Sequence, residues 1–373
     1  CTNFKTPKAQ VSQVCRHLSQ MSIRTWGLTA TLIKNHLMEG FGIYQVIYPE
    51  VFQHAGKNMS LDQFMHYYCI LEMMSIPRSN RKIPKVVGYL PEKVAEFRKA
   101  IQYYYLGRPK HEVSHELPLL TTKTITSSLT PAQDEKYKDA LKGLLEVGEN
   151  EVEVSKLTAL IYCQQIVNHL ELIQGDGESP KLEALIDLLT EGELEGEKVI
   201  VFTRFAKMVD IIMSRLKGEK IGAVRVTGAE DSRDREAAKK SFQDLNSSTK
   251  VVCITMAGSD AINLQAAKAV VFFDTPWSAG DYLQILGRMI RIGSAHQNVY
   301  ALHLTTELPN GKSTIDGRVM DVLQKKMGLI EAALGSRVKN NDVITATNDV
   351  NDLFAEVTKG SKFEEDAGIK DLL

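Results

Sequence analysis

Between residues 199 and 304 short apolar runs return at regular intervals: VIVFT (199–203), AVRVTG (223–228), VVCITM (251–256), AVVFFD (269–274) and VYALHL (299–304). Each is rich in Val and Ile and too short to be a buried helix. Unbroken apolar runs of this length read as strands covered on both faces. The intervening segments KMVDIIMSRL, REAAKKSFQDL and the stretch around Gln284 carry helical spacing. Strand and helix alternating in this way predict an α/β fold, a parallel sheet with helices on both faces. Ligands of such sheets bind beyond the carboxyl ends of the strands. TRF (203–205), TGAEDSRDR (227–235), MAGSDAINLQ (256–265) and DTPWSAGDY (274–282) fall there.

The rest of the chain is less regular. Residues 1–50 read as a piece of a similar unit, with a helix over 8–21, a strand over 22–31 and a helix over 35–47. One strand between two helices cannot close a core. Residues 60–106 read as helical, their Met and Tyr side chains serving packing. Amphipathic helices are expected over 130–147, 154–173 and 314–334, with a loop at GDGESP (175–180). The last forty residues are polar and acidic, the composition of a mobile tail.

With 373 residues the chain has room for two or three domains. Its net charge of −1 excludes a global basic field, so any nucleic-acid surface must be local. Residues 1–120 carry such a local excess, 15 Lys and Arg against 8 Asp and Glu. The five cysteines are scattered without a CxxC pair, which argues against a disulfide framework or a cysteine-rich zinc site. It points to a reducing compartment: cytoplasm, or nucleus in a eukaryote. No apolar run reaches membrane-spanning length and no signal peptide is recognisable.

QILGRMIRIGS (284–294) places Arg288 and Arg291 three positions apart. On a helix such residues are neighbours. An exposed helix can carry two arginines for solubility alone, but Met289, Ile290 and Ile292 make this strip apolar. Two adjacent guanidiniums repel unless an anion lies before them, and a phosphate suits their planar forks.

The order of these pieces resembles the ATPase core of superfamily-two helicases, and within them the Swi/Snf type of double-stranded-DNA translocase. RTWGLTATLIKN (24–35) is similar to that family's third motif. YYLGRPKHEVSHELP (104–118) resembles the junction between its lobes, and LTPAQDEKY (129–137) and YCQQIVNH (162–169) resemble two further stretches. SPKLEALIDLL leads into EKVIVFTRF, similar to the fourth motif. MAGSDAINLQAA resembles the fifth and QILGRMIRIG the sixth. The resemblance covers about residues 1–334.

It implies a RecA-like parallel sheet for the second lobe, over 119–335. A partial first lobe with a helical insertion (1–118) precedes it, and an acidic tail (336–373) comes after it. It further implies ATP with Mg2+ as cofactors and nucleic acid, double-stranded DNA, as partner, with a protein partner possible and no membrane. Arg291, with Arg288 beside it, is the implied arginine finger on the γ-phosphate. Gln284 would fix the start of its helix, Gly258 would let backbone approach a ligand, and Gly287 is a further nucleotide-binding candidate. Asp260 would take a ribose hydroxyl or support Arg288. Asn263, Thr29 and Thr31 would couple the cleft to nucleic acid, although caps and turns use the same residue types. Arg81 and Arg204 are the implied backbone-gripping cations, with Lys5, Lys8, Arg78, Lys82, Lys85, Arg233 and Arg235 further candidates.

The chain departs from the family pattern at Ala261, where glycine is usual, at Gly293-Ser294, at Thr29-Ala30-Thr31-Leu32 and at Gly107-Arg108. No Gly-x-x-x-x-Gly-Lys-Ser/Thr run and no Asp-Glu magnesium box occurs. CTNFKTPKAQ (1–10) resembles the segment directly downstream of that box, so the expectation is a chain beginning just after it, with Mg2+ held mainly by a preceding part. The alternative from another class is a non-catalytic lobe that binds nucleic acid or a partner. Two decoys remain. NGKST (310–314) has Thr306 where a phosphate loop needs glycine, and reads as a turn. HEVSH (111–115) has the zinc-protease spacing, but Pro109 and Pro118 leave room for barely two helical turns.

Overall fold

The computed structural model describes residues 4–29, 32–33, 36–75, 82–107, 117–147, 153–258, 262–334 and 344–345. They fall into two compact units.

The first unit contains α1 (Gln10–Gln20), α2 (Leu37–Ile47), a small hairpin of β1 (Gln53–His54) and β2 (Lys57–Asn58), α3 (Leu61–Tyr68), β3 (Ile70–Ser75), β4 (Lys82–Tyr89) and α4 (Pro91–Ile101). Its core is aromatic. Phe41 meets Phe64 at 4.5 Å between ring centroids, and Phe52 stacks on Phe97 at 5.4 Å. α3 starts at a capping box in which Ser60 and Gln63 satisfy each other's backbone N–H groups, and α4 starts at a proline that has no N–H to lose.

Two expectations fail in this unit. Residues 60–106 are not helical throughout: β3 and β4 form an antiparallel ribbon, with Glu72 opposite Lys85 and Met73 opposite Pro84. Pro84 cannot sit inside a helix, and Val86 and Val87 favour a pleated surface. The strand expected over 22–31 is also missing, because residues 22–29 join no sheet. Ile23, Trp26 and Leu28 stand 99%, 80% and 85% exposed. A strand is stable only beside another that takes its backbone N–H and C=O groups, and no described strand is paired with residues 22–29.

The second unit is built on a six-stranded sheet. In chain order it contains β5 (Leu119–Ser128), α5 (Pro131–Val147), α6 (Glu153–Asn168), α7 (Pro180–Thr190), β6 (Val199–Phe202), α8 (Ala206–Gly218), β7 (Gly222–Val226), α9 (Ser232–Gln243), β8 (Thr249–Ile254), β9 (Ala269–Phe272), α10 (Ala279–Met289) from Asp281 on, β10 (Asn298–Glu307) and the start of α11 (Ile315–Leu334), which from Val322 on belongs to the first unit. The strand order is β5-β10-β9-β6-β8-β7, and every pairing is parallel. β6 and β9 are central and wholly buried, which is why VIVF and AVVF contain no polar residue. β5 lies at one edge, in register with β10 from Leu119 opposite Asn298 to Ser128 opposite Glu307.

One buried cation joins several of these elements. Lys181, in the first turn of α7, has no solvent exposure. Its ammonium lies 2.6 Å from Asp316 Oδ2, at the start of α11, and donates to Asn168 Oδ1 at 3.0 Å and the Phe273 carbonyl at 3.1 Å. Asp316 Oδ2 also accepts from Thr306 N at 3.2 Å and Thr306 Oγ1 at 2.9 Å. A buried charge persists only when paired and hydrogen-bonded to this degree. Lys181→Met strands the Asp316 carboxylate. It is expected to cost about 3–5 kcal/mol in urea unfolding of the second unit; a loss under about 1 kcal/mol would show that the pair does not hold these elements together.

Candidate functional site

At the carboxyl edge of β6 and β9 the chain organises around Asp274, which is fully buried. Its Oδ2 accepts from Thr203 Oγ1 at 2.5 Å and Asn168 Nδ2 at 3.0 Å, and its Oδ1 accepts from the Arg204 backbone N–H at 2.9 Å. Burial raises the carboxyl pKa, while the Thr203 hydrogen bond and the Arg204 and Lys181 charges oppose that rise. This answers the role expected of Arg204. Its guanidinium stacks 4.0 Å from the Trp277 ring centroid and donates to Gln164 Oε1 at 2.8 Å. Burial lowers its pKa, and the carboxylates of Asp274 and Asp281 counter that fall. Arg204 is turned into the protein, where cation–π contact and a buried acceptor hold it better than solvent, so it does not present a free cation to a phosphate backbone.

α10 leaves this carboxyl edge and returns to the opposite one. Tyr282 anchors its first half: the hydroxyl lies 3.2 Å from His303 Nε2, on β10. His303 Nδ1 lies 3.2 Å from Thr275 Oγ1, and the ring stacks on Phe272 at 4.8 Å. Gln284 sits in the middle of α10, which begins at Ala279, so it does not fix the helix start. Arg288 is in the last turn, where a cation complements the helix dipole. Its backbone carbonyl accepts from Leu264 N at 3.0 Å.

The helix ends at Met289, so Arg288 and Arg291 do not share one continuous helical face. Arg291 folds back over the helix end. Its Nε donates to the Gly287 carbonyl at 2.8 Å and its Nη1 donates to Asn263 Oδ1. Gly293 makes the next turn at φ +85°, a conformation that favours glycine. Ser294 Oγ and Ala295 N each reach the Gln265 carbonyl at 3.5 Å, and His296 Nε2 lies 3.2 Å from the Ala266 carbonyl. Residues 263–266 thus run along residues 288–296, just before β9 begins. The arginines stand at the amino edge of the sheet, away from TRF, TGAEDSRDR and DTPWSAGDY at the carboxyl edge; MAGSDAINLQ starts at the carboxyl edge after β8 and its end, residues 263–265, reaches them.

Gly258 has a different reason from the one expected. A Cβ there would collide with the Val226 carbonyl oxygen, so the glycine admits the protein's own backbone. Thr29 is exposed, in the stretch that joins no sheet. Thr31, Arg81, Arg78, Asp260 and HEVSH lie outside the described residues. Lys5 is paired with Glu39 at 3.3 Å, Lys82 is exposed and Lys85 half-buried. Arg233 is exposed at the start of α9, and Arg235 Nη2 reaches the Gly228 carbonyl at 3.4 Å. NGKST is a turn: Gly311 has φ +78° and donates to the Leu308 carbonyl at 2.8 Å. Among the described residues no group of three His, Cys, Asp or Glu side chains is placed to hold a metal ion. Sequence reasoning missed Asp274, Lys181 and His303; their one visible signal is a polar residue inside or beside an apolar run.

Two family models match the chain in succession, the SNF2-related domain over residues 2–172 and the helicase conserved C-terminal domain over residues 180–293. The chain belongs to the Snf2-type superfamily-two helicases and ATPases. Among its curated relatives is a chromodomain-helicase-DNA-binding protein 1-like from Danio rerio, 26% identical over 71% of this chain and 25% of that protein. Another is a SWI/SNF-related matrix-associated actin-dependent regulator of chromatin, subfamily A member 1, from Mus musculus, 24% identical over 87% of this chain and 30% of that protein. The chain therefore spans less than a third of the length of either. Among solved structures, the Sulfolobus solfataricus SWI2/SNF2 ATPase core domain superposes with a TM-score of 0.50 at 21% identity, covering 88% of this chain and 61% of that one. That likeness concerns the fold, an α/β RecA-like sheet.

The His303 cluster gives a pH test. Burial pushes the imidazole down from its ordinary 6.5 to about 4. An unfolded chain takes up this proton first as pH falls. The stability from keeping the ring neutral is thus full above about pH 6.5 and is lost as pH drops towards 4. The change is about 3 kcal/mol for a buried imidazole. Denaturant titrations between pH 6.5 and 4 should show a shallower acid loss in His303→Gln than in the parent. Equal slopes would mean that His303 is protonated without penalty.

Proposed function

We propose that this chain is the arginine-donating portion of an ATP-driven double-stranded-DNA translocase. Residues 1–118 serve as the end of lobe one, 119–335 as lobe two and 336–373 as an acidic tail. The observation that carries this reading is the anchoring of Arg291. The fifth-motif stretch and the sixth-motif stretch are bonded to each other through Asn263 and Arg291, and through Leu264 and Arg288. By family resemblance these motifs belong to the nucleotide cleft. A guanidinium fixed in advance loses little freedom when charge spreads over the transferring phosphoryl oxygens. ATP supplies the phosphoryl group, and Arg288 and Arg291 suit its charge. Gln284, Gly287 and Asp260 belong to the same nucleotide-facing stretches. Mg2+ is proposed as the cofactor that accompanies ATP; among the described residues no group of three His, Cys, Asp or Glu side chains is placed to hold it.

DNA contact is proposed for Thr29, Thr31, Arg81 and the exposed Arg233, with binding directed to phosphates. Asn263 couples that path to the cleft. Among the described residues no helix is long and apolar enough to cross a membrane. Such a motor works where DNA is, in the cytoplasm or, in a eukaryote, the nucleus.

In the full-length protein Arg291→Ala should lower the DNA-stimulated kcat by about three orders of magnitude and leave duplex affinity within about twofold. An equal loss of DNA affinity would make Arg291 a backbone contact instead. Arg233→Ala should weaken binding to unrelated duplex sequences equally and reduce the salt slope by about one. Loss confined to one sequence would exclude phosphate contact there.

A further inference from the structure

Among the described residues, both groups that hold the Arg291 guanidinium are neutral. One is the Gly287 carbonyl, and the other is the carboxamide oxygen of Asn263. A carboxamide has two unlike ends; it turns its oxygen to a guanidinium, which has only donors, and an acceptor on its nitrogen reinforces that direction. Here Asn263 Nδ2 donates to Gln265 Oε1 at 3.3 Å. The backbone of Gln265 is anchored beside Arg291, because its main-chain carbonyl accepts from Ser294 Oγ and Ala295 N in the turn just after Arg291. Gln265 therefore sets the direction of Asn263, and Asn263 sets the direction of Arg291.

The neutrality of this chain of contacts has a chemical consequence. Guanidinium is normally held by carboxylate, through two charge-assisted hydrogen bonds that are stronger than one bond to an amide. A carboxylate at 263 would grip Arg291 more tightly but would offset its positive charge. An amide holds the guanidinium in place without adding a countercharge. We propose that Asn263 and Gln265 form an uncharged tether that aims Arg291 while leaving its full charge available to an incoming anionic phosphoryl group. Both are positioning residues, since they act through Arg291. The proposal rests on the reading of Arg291 as an arginine finger.

The test measures DNA-stimulated ATP hydrolysis by the full-length protein in four forms: parent, Arg291→Ala, Asn263→Asp and Gln265→Met. Thermal unfolding is followed alongside. Asn263→Asp keeps size and acceptor, so it should leave Tm equal or higher, yet lower kcat at least about tenfold with KM for ATP within about threefold. Gln265→Met removes the acceptor that orients Asn263, and should lower kcat about tenfold, again with KM nearly unchanged. A residue with only a structural role gives the opposite pattern, because aspartate restores the bond and kcat stays at the parent value. That result overturns the proposal. If Asn263→Asp does not fold, Gln265→Met decides: parent kcat in that variant overturns the tether. Arg291→Ala separates the two levels. Parent-like hydrolysis there removes the finger itself, whereas a collapse in Arg291→Ala beside parent-like tether variants leaves the finger standing and removes only the tether.

Discussion

The ammonium of Lys181 is the contact on which most of the second unit's polar order depends. It reaches Asp316, Asn168 and the Phe273 carbonyl at once. Asn168 then uses its amide nitrogen on Asp274, and Asp274 fixes Thr203 and the Arg204 backbone. Asp316 in turn holds Thr306 at the end of β10. One buried charge therefore joins α6, α7, β9, β10 and α11, and through Asp274 sets the loop after β6. Apolar packing alone fixes how closely such elements approach. Directional bonds to a desolvated charge fix how they are oriented, because an unmet bond there costs far more than in water.

That orientation separates two edges of the same sheet. At the carboxyl edge the polar residues are consumed internally: Asp274 serves Thr203, Asn168 and the Arg204 backbone, and Arg204 serves Gln164 and Trp277. At the amino edge Arg291 is held by a backbone carbonyl and an amide, both uncharged. α10 links the edges and is held along its length by the His303–Tyr282 contact and by the buried Ile285 and Met289. A rigid strut of this kind lets a side chain at its far end keep a fixed direction without a countercharge.

The sequence displayed the parts whose physics is local. The five Val- and Ile-rich runs became β6 to β10; β6 and β9 are buried on both faces and leave no room for polar alternation, while β7 at the edge is partly exposed and carries Arg225. The amphipathic periods of α5 and α11 were equally plain. β5 was missed because an edge strand half in water is written in Thr and Ser, and TTKTITSS lacks the apolar run that marks its neighbours. The ribbon of β3 and β4 was hidden because ILEMMS has helix-compatible residues; only Pro84 and its valines argue otherwise. Arg204 read as a surface cation because charge in a sequence carries no sign of which side of a strand end it will face. The tether between Asn263 and Arg291 joins residues far apart in sequence, and no local pattern reports it.

A comparison of the two arginines shows what the helix end contributes. Arg288 still belongs to α10, so its direction is set by the helix, and its carbonyl is spent on Leu264. Arg291 lies beyond the last turn, where the backbone no longer dictates direction, and its Nε caps the Gly287 carbonyl that the helix leaves unpaired. The same bond thus satisfies an orphan acceptor and orients the guanidinium. Gly293 then turns the chain back towards Gln265, whose side chain holds the amide that completes the grip. If Arg291 were moved one turn earlier, into the helix, Gly287 would be paired by the helix itself and that acceptor would be lost. The break in the helix after Met289 is therefore what allows a guanidinium at this position to be held by the Gly287 carbonyl and the Asn263 amide, the two groups on it among the described residues.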